Sequence, residues 1–138
     1  YFFPDSYFEG LTKVPGASCW LLKVDDEYVA GAVIMASYAA RTIEYHLGAY
    51  MRQPALSPLA LLLHLLSEHY QKEGFDTFYL GGGRSTHSDD SLLFFKKGFS
   101  NRTTYFNVAY KIYDQSRYSA LKEKIEASGS DKILFYRS

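Results

Sequence analysis

The chain has 138 residues, enough for one hydrophobic core and too few for a second domain of ordinary size. Lys and Arg total 15 and Asp and Glu total 15, so no global charge draws the protein onto nucleic acid or a membrane surface. No apolar run approaches the roughly 20 residues that would span a bilayer, which excludes a membrane-spanning helix.

In chain order, Pro4, Asp5 and Ser6 open a short helix, with Ser6 as cap and Glu9 closing a capping box. It ends near residues 10–13, and Pro15-Gly16 makes a turn. Two apolar, β-rich runs follow at 18–24 and 28–35, joined by Asp25-Asp26-Glu27 as a hairpin. Cys19 lies in the first run and is the sole cysteine, so no internal disulfide forms. It reads as a buried structural thiol in a reduced, cytoplasmic protein. Residues 41–50 alternate, with Ile43, Tyr45 and Leu47 on one face and Thr42, Glu44 and His46 on the other, the pattern of a half-buried strand.

Ser57-Pro58 opens the clearest helix, with Leu59, Leu62, Leu63, Leu66 and Tyr70 on its apolar face and Gly74 as its stop. A short strand at 76–80 runs into Gly81-Gly82-Gly83. A loop at 84–89 leads to a short helix at 92–97, capped near Asp90 and stopped by Gly98. Residues 103–113 read as a long strand. A final helix starts at Asp114 or Ser116 and closes at Gly129, and 132–137 form a last strand. Without repeats or internal linkers, this order describes one mixed-sheet α/β domain. The chain opens on Tyr1 in a segment that already reads as folded, so the sequence is expected to belong to a longer protein.

Four features can carry chemistry. Gly81-Gly82-Gly83 lets backbone N–H groups converge on a ligand, and Arg84 beside it can hold a phosphate or carboxylate; a sharp turn explains the glycines equally well. In Phe95-Lys96-Lys97-Gly98-Phe99 the lysines complement a helix C-terminus. Alternatively, one reaches into a groove to face a phosphate or a developing oxyanion. The helix start at Ser57 offers free N–H donors for a pyrophosphate, with Arg52 nearby to add charge; a capped helix alone accounts for the same residues. His46, with Glu44 on the same side of the strand, can accept a proton near neutral pH or stand as a solvated surface residue. His64 and Glu68 sit one helical turn apart without a third metal ligand, so a surface pair is the reading; His69 and His87 lack partners at informative spacing. Serine-nucleophile, zinc and Walker motifs are absent. The aromatic excess, 13 Tyr and 10 Phe, suits groove walls, an interface or a packed core.

Taken together, Tyr45-His46-Leu47-Gly48-Ala49, Ser57-Pro58, Leu80-Gly81-Gly82-Gly83, Asp90-Ser91-Leu92 and Phe95-Lys96-Lys97-Gly98-Phe99 resemble the GNAT-type domain of FemA/FemB-like and related bacterial acyltransferases, over about residues 7–118. The resemblance implies a GNAT fold of α+β type, with a mixed, mostly antiparallel sheet flanked by helices. It implies direct transfer of an acyl group to an amine from acetyl-CoA, another acyl-CoA or, in the FemA/FemB-like branch, aminoacyl-tRNA, with a cell-wall precursor as acceptor.

By this resemblance Lys96 contacts donor phosphate or the reacting carbonyl, with Tyr45, His46 or Tyr50 near the reacting groups. Ser57, Leu80, Gly81, Gly82, Gly83, Arg84, Phe95 and Arg52 are expected at the donor. Two departures stand out. Residues 51–56 contain no glycine, unlike the family's pyrophosphate loop, and only one of the two GNAT-like halves of FemA/FemB-like enzymes is present, matching the C-terminal one. The rival expectation is a non-catalytic half that packs on another domain or pairs as a homodimer. Nucleic-acid binding through stacked aromatics is disfavoured by the zero net charge unless tRNA is the donor.

Overall fold

A computed structural model describes residues 3–52, 57–84, 89–105, 107 and 109–125. Within the unit Tyr1–Asn101, helix α1 spans Asp5–Leu11 with Pro4 at its N-cap and no side-chain capping bond. The predicted Ser6–Glu9 capping box is therefore not formed. Pro4 already has the extended conformation of a cap, and its carbonyl accepts the Tyr7 N–H at 2.9 Å, which draws Ser6 inside the first turn.

Strands β1 (Ala17–Val24) and β2 (Glu27–Ser37) pair antiparallel in register Val24↔Glu27. Their turn is Asp25-Asp26, both left-handed at φ 47° and 67°, a two-residue turn whose twist matches the flanking strands. Glu27, expected in the turn, is the first residue of β2, and the Lys23 ammonium meets the Asp26 carboxylate at 2.6 Å. Strand β3 (Thr42–Tyr50) pairs antiparallel with β2, and the short β4 (Thr77–Tyr79) pairs parallel with β3, in the order β1-β2-β3-β4. The mixed, mostly antiparallel sheet matches the expectation.

Helix α2 (Pro58–Lys72) lies on one face of the sheet. Leu59, Leu62, Leu63, Leu66 and Tyr70 are all buried, as their helical spacing predicts. Leu62, Leu66 and Tyr70 form the core with Ala30, Ala32, Ile34 and Ile43, against which Trp20, Leu22, Tyr45, Phe75 and Phe78 pack. Ile34, Ile43 and Leu63 are fully enclosed, and burial of each contributes about 1.5–3 kcal/mol. At the end of α2, Phe75 N–H bonds the Tyr70 carbonyl and Gly74 N–H bonds that of Gln71, while the Tyr70 and Phe75 rings touch edge to face at 5.2 Å. These are the two bonds and the apolar contact of a Schellman stop.

Cys19 is exposed rather than buried. It pairs with Val33 and alternates with Ser18 and Trp20, so it falls on the sheet face opposite α2.

Asp114 caps helix α4 (Gln115–Ile125) in the unit Arg102–Ser138. Its carboxylate accepts the Arg117 N–H at 3.0 Å and the Ser116 hydroxyl at 2.8 Å, and these bonds hold its pKa below the ordinary carboxylate value. The strand expected at 103–113 is not formed among the described residues there. β-rich composition supplies propensity, but a strand exists only where a ladder partner takes its N–H and C=O groups, and Tyr105 is 92% exposed. The strand predicted at 132–137 and the stop at Gly129 lie outside the described residues.

Candidate active site

The sheet opens between β3 and β4. Parallel pairing runs from Thr42↔Thr77 to Glu44↔Tyr79 and stops, while β3 continues to Tyr50. At the point of divergence the β2–β3 register shifts: Ile34 faces Tyr45 and Val33 faces Leu47, which leaves His46 as the extra residue of a bulge. A bulge bends its strand and re-aims its side chains. The strict alternation predicted for 41–50 therefore breaks here: Tyr45 shares the core face with Ile34, while Leu47 pairs with Val33 on the opposite face.

The closed end of this fork is fastened by Arg41. Its guanidinium donates to the Gly74 carbonyl at 2.7 Å and pairs with Asp76 at 3.0 Å, and its carbonyl accepts the Asp76 N–H. The open end is spanned by Lys96 of helix α3 (Ser91–Lys97). Its ammonium donates to the Gly82 carbonyl at 2.8 Å on the β4 arm and lies 5.7 Å from the centre of the Tyr45 ring on the β3 arm. Burial lowers the Lys96 pKa from its ordinary 10.5, an effect opposed by the charge of Asp90. Tyr45 is shifted upward, by burial first and then by Tyr50. Its hydroxyl lies where a Cβ at residue 48 would stand, so Gly48 gives the ring its place along β3.

Asp90 organises the β4 arm. It is buried, accepts the Leu93 N–H at 2.7 Å as the cap of α3, and with its other oxygen accepts the Arg84 N–H at 2.7 Å. A Cβ at Gly83 would collide with this carboxylate, so the third glycine is required by close approach. One side chain thus joins the glycine loop to the helix that carries Lys96.

Among the predicted site residues, the fold brings together Tyr45, Lys96, Gly81 and Gly82 by direct approach, and joins Gly83 and Arg84 to them through Asp90. Leu80 connects β4 to the loop, and Phe95 packs edge to face on Phe99 at 5.3 Å. The Arg84 and Arg52 side chains are exposed and make no ion pair among the described residues. Ser57 holds the N-cap position of α2 with Pro58 following, but its side chain makes no capping bond, contrary to expectation; its ψ of 88° departs from the extended cap. The loop stretch 53–56 lies outside the described residues, as does His87.

The hydrogen-bond partner of His46 lies on another element than its own strand, where Glu44 was the neighbour expected beside it. Its Nε2 lies 2.5 Å from the Tyr7 hydroxyl of α1. Tyr7 is the residue that sequence reasoning missed, and with the partners 39 positions apart no local pattern could signal it. Asp90 was legible as a cap, but not as the tether of the glycine loop. The His64–Glu68 surface pair forms at 3.6 Å, and no group of three or more His, Cys, Asp or Glu among the described residues is placed to hold a metal. No helix among them is long and apolar enough to cross a membrane.

Residues 3–90 match the acetyltransferase (GNAT) domain family. The fold is similar to that of ribosomal-protein-alanine N-acetyltransferase from Brucella melitensis biovar Abortus 2308, with TM-score 0.58, 10% identity and coverage of 80% of this chain and 82% of that one. It is also similar to an aminoglycoside acetyltransferase from an uncultured soil metagenomic sample, solved with sisomicin, with TM-score 0.55, 15% identity and coverage of 83% and 76%. No curated protein matches.

Proposed function

This chain belongs to the acetyltransferase (GNAT) domain family, and we propose that it transfers an acyl group from acyl-CoA, with acetyl-CoA as the first candidate, to a primary amine across the β3–β4 fork. The observation that carries this reading is the bridge at the fork, where one half-buried ammonium sits between the Tyr45 ring and the glycine-loop backbone. Such a cation, partly withdrawn from water, stabilises negative charge better than a solvated one.

The donor carbonyl lies in the fork within reach of Lys96. The acceptor amine attacks its carbon, and the proton released passes to His46. Lys96 stabilises the oxyanion, which collapses as the thiolate leaves. The glycine loop presents its backbone to the donor with Gly81 at φ 72°, and Arg84, Arg52 and the start of α2 at Ser57 line the route of the donor phosphates.

Aminoacyl-tRNA is the alternative donor, and the FemA/FemB-like branch, a cell-wall acceptor and a C-terminal half-domain of a longer protein go with it. The balanced charge favours acyl-CoA, because a polyanion is gripped through many basic contacts. The aminoglycoside enzyme solved with sisomicin supports a small-molecule acceptor. The single cysteine is in keeping with a cytoplasmic location.

The test is acetyl-CoA turnover against a panel of primary amines, with thermal shift by acetyl-CoA, CoA and an aminoacyl-tRNA mimic. Turnover that falls sharply in Lys96→Ala while the fold persists supports the reading; turnover unchanged in that variant refutes the role of Lys96. A second reading, a non-catalytic half that packs on another domain or a second copy, is supported by the aromatic excess, 13 Tyr and 10 Phe, residue types enriched at interfaces. Silence with every donor together with a concentration-dependent increase in mass would select it.

A further inference from the structure

His46 occupies an unusual position. As the extra residue of the β3 bulge it has no opposite number on β2, so the ladder does not set the direction of its ring. Its orientation comes instead from α1, where the Tyr7 hydroxyl and Nε2 are 2.5 Å apart in a half-buried contact. Tyr7 is itself held by stacking. The Phe3 ring lies against it at 4.3 Å and 17°, Phe8 meets it edge on at 5.6 Å, and the His46 ring continues the stack at 23°. Helix α1 buries no residue completely, so this aromatic stack and the Tyr7–His46 contact mark where α1 meets the bulge.

We infer that Tyr7 is a positioning residue that holds the His46 ring through Nε2 and leaves Nδ1 as the nitrogen that takes the proton of the attacking amine. The inference rests on the proposed acyl transfer with His46 as proton acceptor. In this assignment the Nε2–H is the donor and the phenol oxygen the acceptor, so the neutral ring keeps its lone pair on Nδ1. As the amine nitrogen bonds to the carbonyl carbon, its proton moves to Nδ1 and the carbonyl electrons move to oxygen. The oxyanion then collapses, the carbon–sulfur bond breaks, and the thiolate leaves with the bonding pair. The proton on Nδ1 passes by way of solvent to the thiolate, which restores the neutral ring. Throughout, Tyr7 stabilises the imidazolium by accepting from Nε2. This is the usual logic of a base oriented by a third group.

The experiment reads the ring directly. Nitrogen-15 NMR of His46 in the wild-type chain at neutral pH is expected to show one tautomer, protonated at Nε2 and bare at Nδ1. Tyr7→Phe keeps the stack but loses the oxygen. It is expected to give a mixture of tautomers and to lower kcat for acetyl-CoA with a primary amine about tenfold, part of what a general base supplies, with KM for acetyl-CoA unchanged. A wild-type ring protonated at Nδ1, or a tautomer mixture already present in the wild type, overturns the inference even if the variant does not fold. A Tyr7→Phe ring identical to wild type overturns it as well. His46→Ala separates the two levels. Intact kcat there overturns both His46 as proton acceptor and this inference, whereas lost kcat together with an unchanged tautomer in Tyr7→Phe overturns this inference alone.

Discussion

Strand β3 has two neighbours, and it treats them differently. Toward β2 it is paired from Thr42↔Ser37 to Tyr50↔Ala30, with Met51 N–H bonding the Val29 carbonyl beyond. Toward β4 it is paired only from Thr42 to Glu44 before the strands part. The first junction is covered by α2 and contains Ala30, Ala32, Ile34 and Ile43, so its pairing is reinforced by burial. The second is fastened at one end by the Arg41–Asp76 pair and spanned at the other by a single lysine. One strand thus serves a region that stores stability and a region where the ladder stops after three residue pairs, and substitutions in the two should read out differently.

The largest effect is expected in the closed junction. Ile34→Ala should cost about 3 kcal/mol of unfolding free energy, because Ile34 is fully enclosed and its removal leaves a cavity. The denaturant midpoint measures this, and a loss below about 1 kcal/mol would mean that the site collapses freely. In the fork, Lys96→Ala should reduce kcat about a hundredfold, near 2.7 kcal/mol of barrier, while the denaturant midpoint stays close to wild type. If stability falls as far as activity, Lys96 is a structural bolt and the contrast between the junctions is lost.

Asp90 sits between these extremes, since it caps α3 and charges the fork at once. Asp90→Ala should cost about 2 kcal/mol of stability, and Asp90→Ser should recover the capping share.

Its electrostatic role has a sign. Lys96 titrates below 10.5 because burial disfavours the ammonium, and Asp90 opposes that shift. In the window between the lowered value and 10.5, the unfolded chain binds the proton that the folded one has lost. This group therefore makes stability rise with pH there. If the ammonium serves transfer, activity should fall with rising pH before 10.5 is reached, and in Asp90→Asn it should fall at lower pH still. A pH–rate profile checks both statements, and an alkaline limb that moves upward in Asp90→Asn contradicts them.

The smallest effect belongs to the fastened end. Asp76→Asn removes an exposed ion pair and should change stability by about 0.5 kcal/mol or less. A larger loss would show that the parallel register itself depends on Arg41.

Much of the fold was legible along the chain because its cues are local. The five apolar positions of α2 recur at helical spacing, Asp90 stands where a cap belongs, and the hairpin around Asp25-Asp26 lies between two β-rich runs. Lys96 was set apart from Lys97 only by the resemblance, and the fold places its ammonium between the Gly82 carbonyl and the Tyr45 ring. Where cues were local but a competing conformation stood one or two residues away, the reading slipped. Pro4 displaced Ser6 as cap, and the bulge at His46 reversed the side of Leu47.

The chain by itself determined which segments can bury a face and where they start and stop, because propensity, periodicity and capping act over a few residues. Only the tertiary structure decided that Cys19 faces away from the core, that the 103–113 run lacks a ladder partner among its described residues, and that Tyr7 meets His46. Each of those outcomes depends on which surface arrives opposite, and that is set when distant segments pack together.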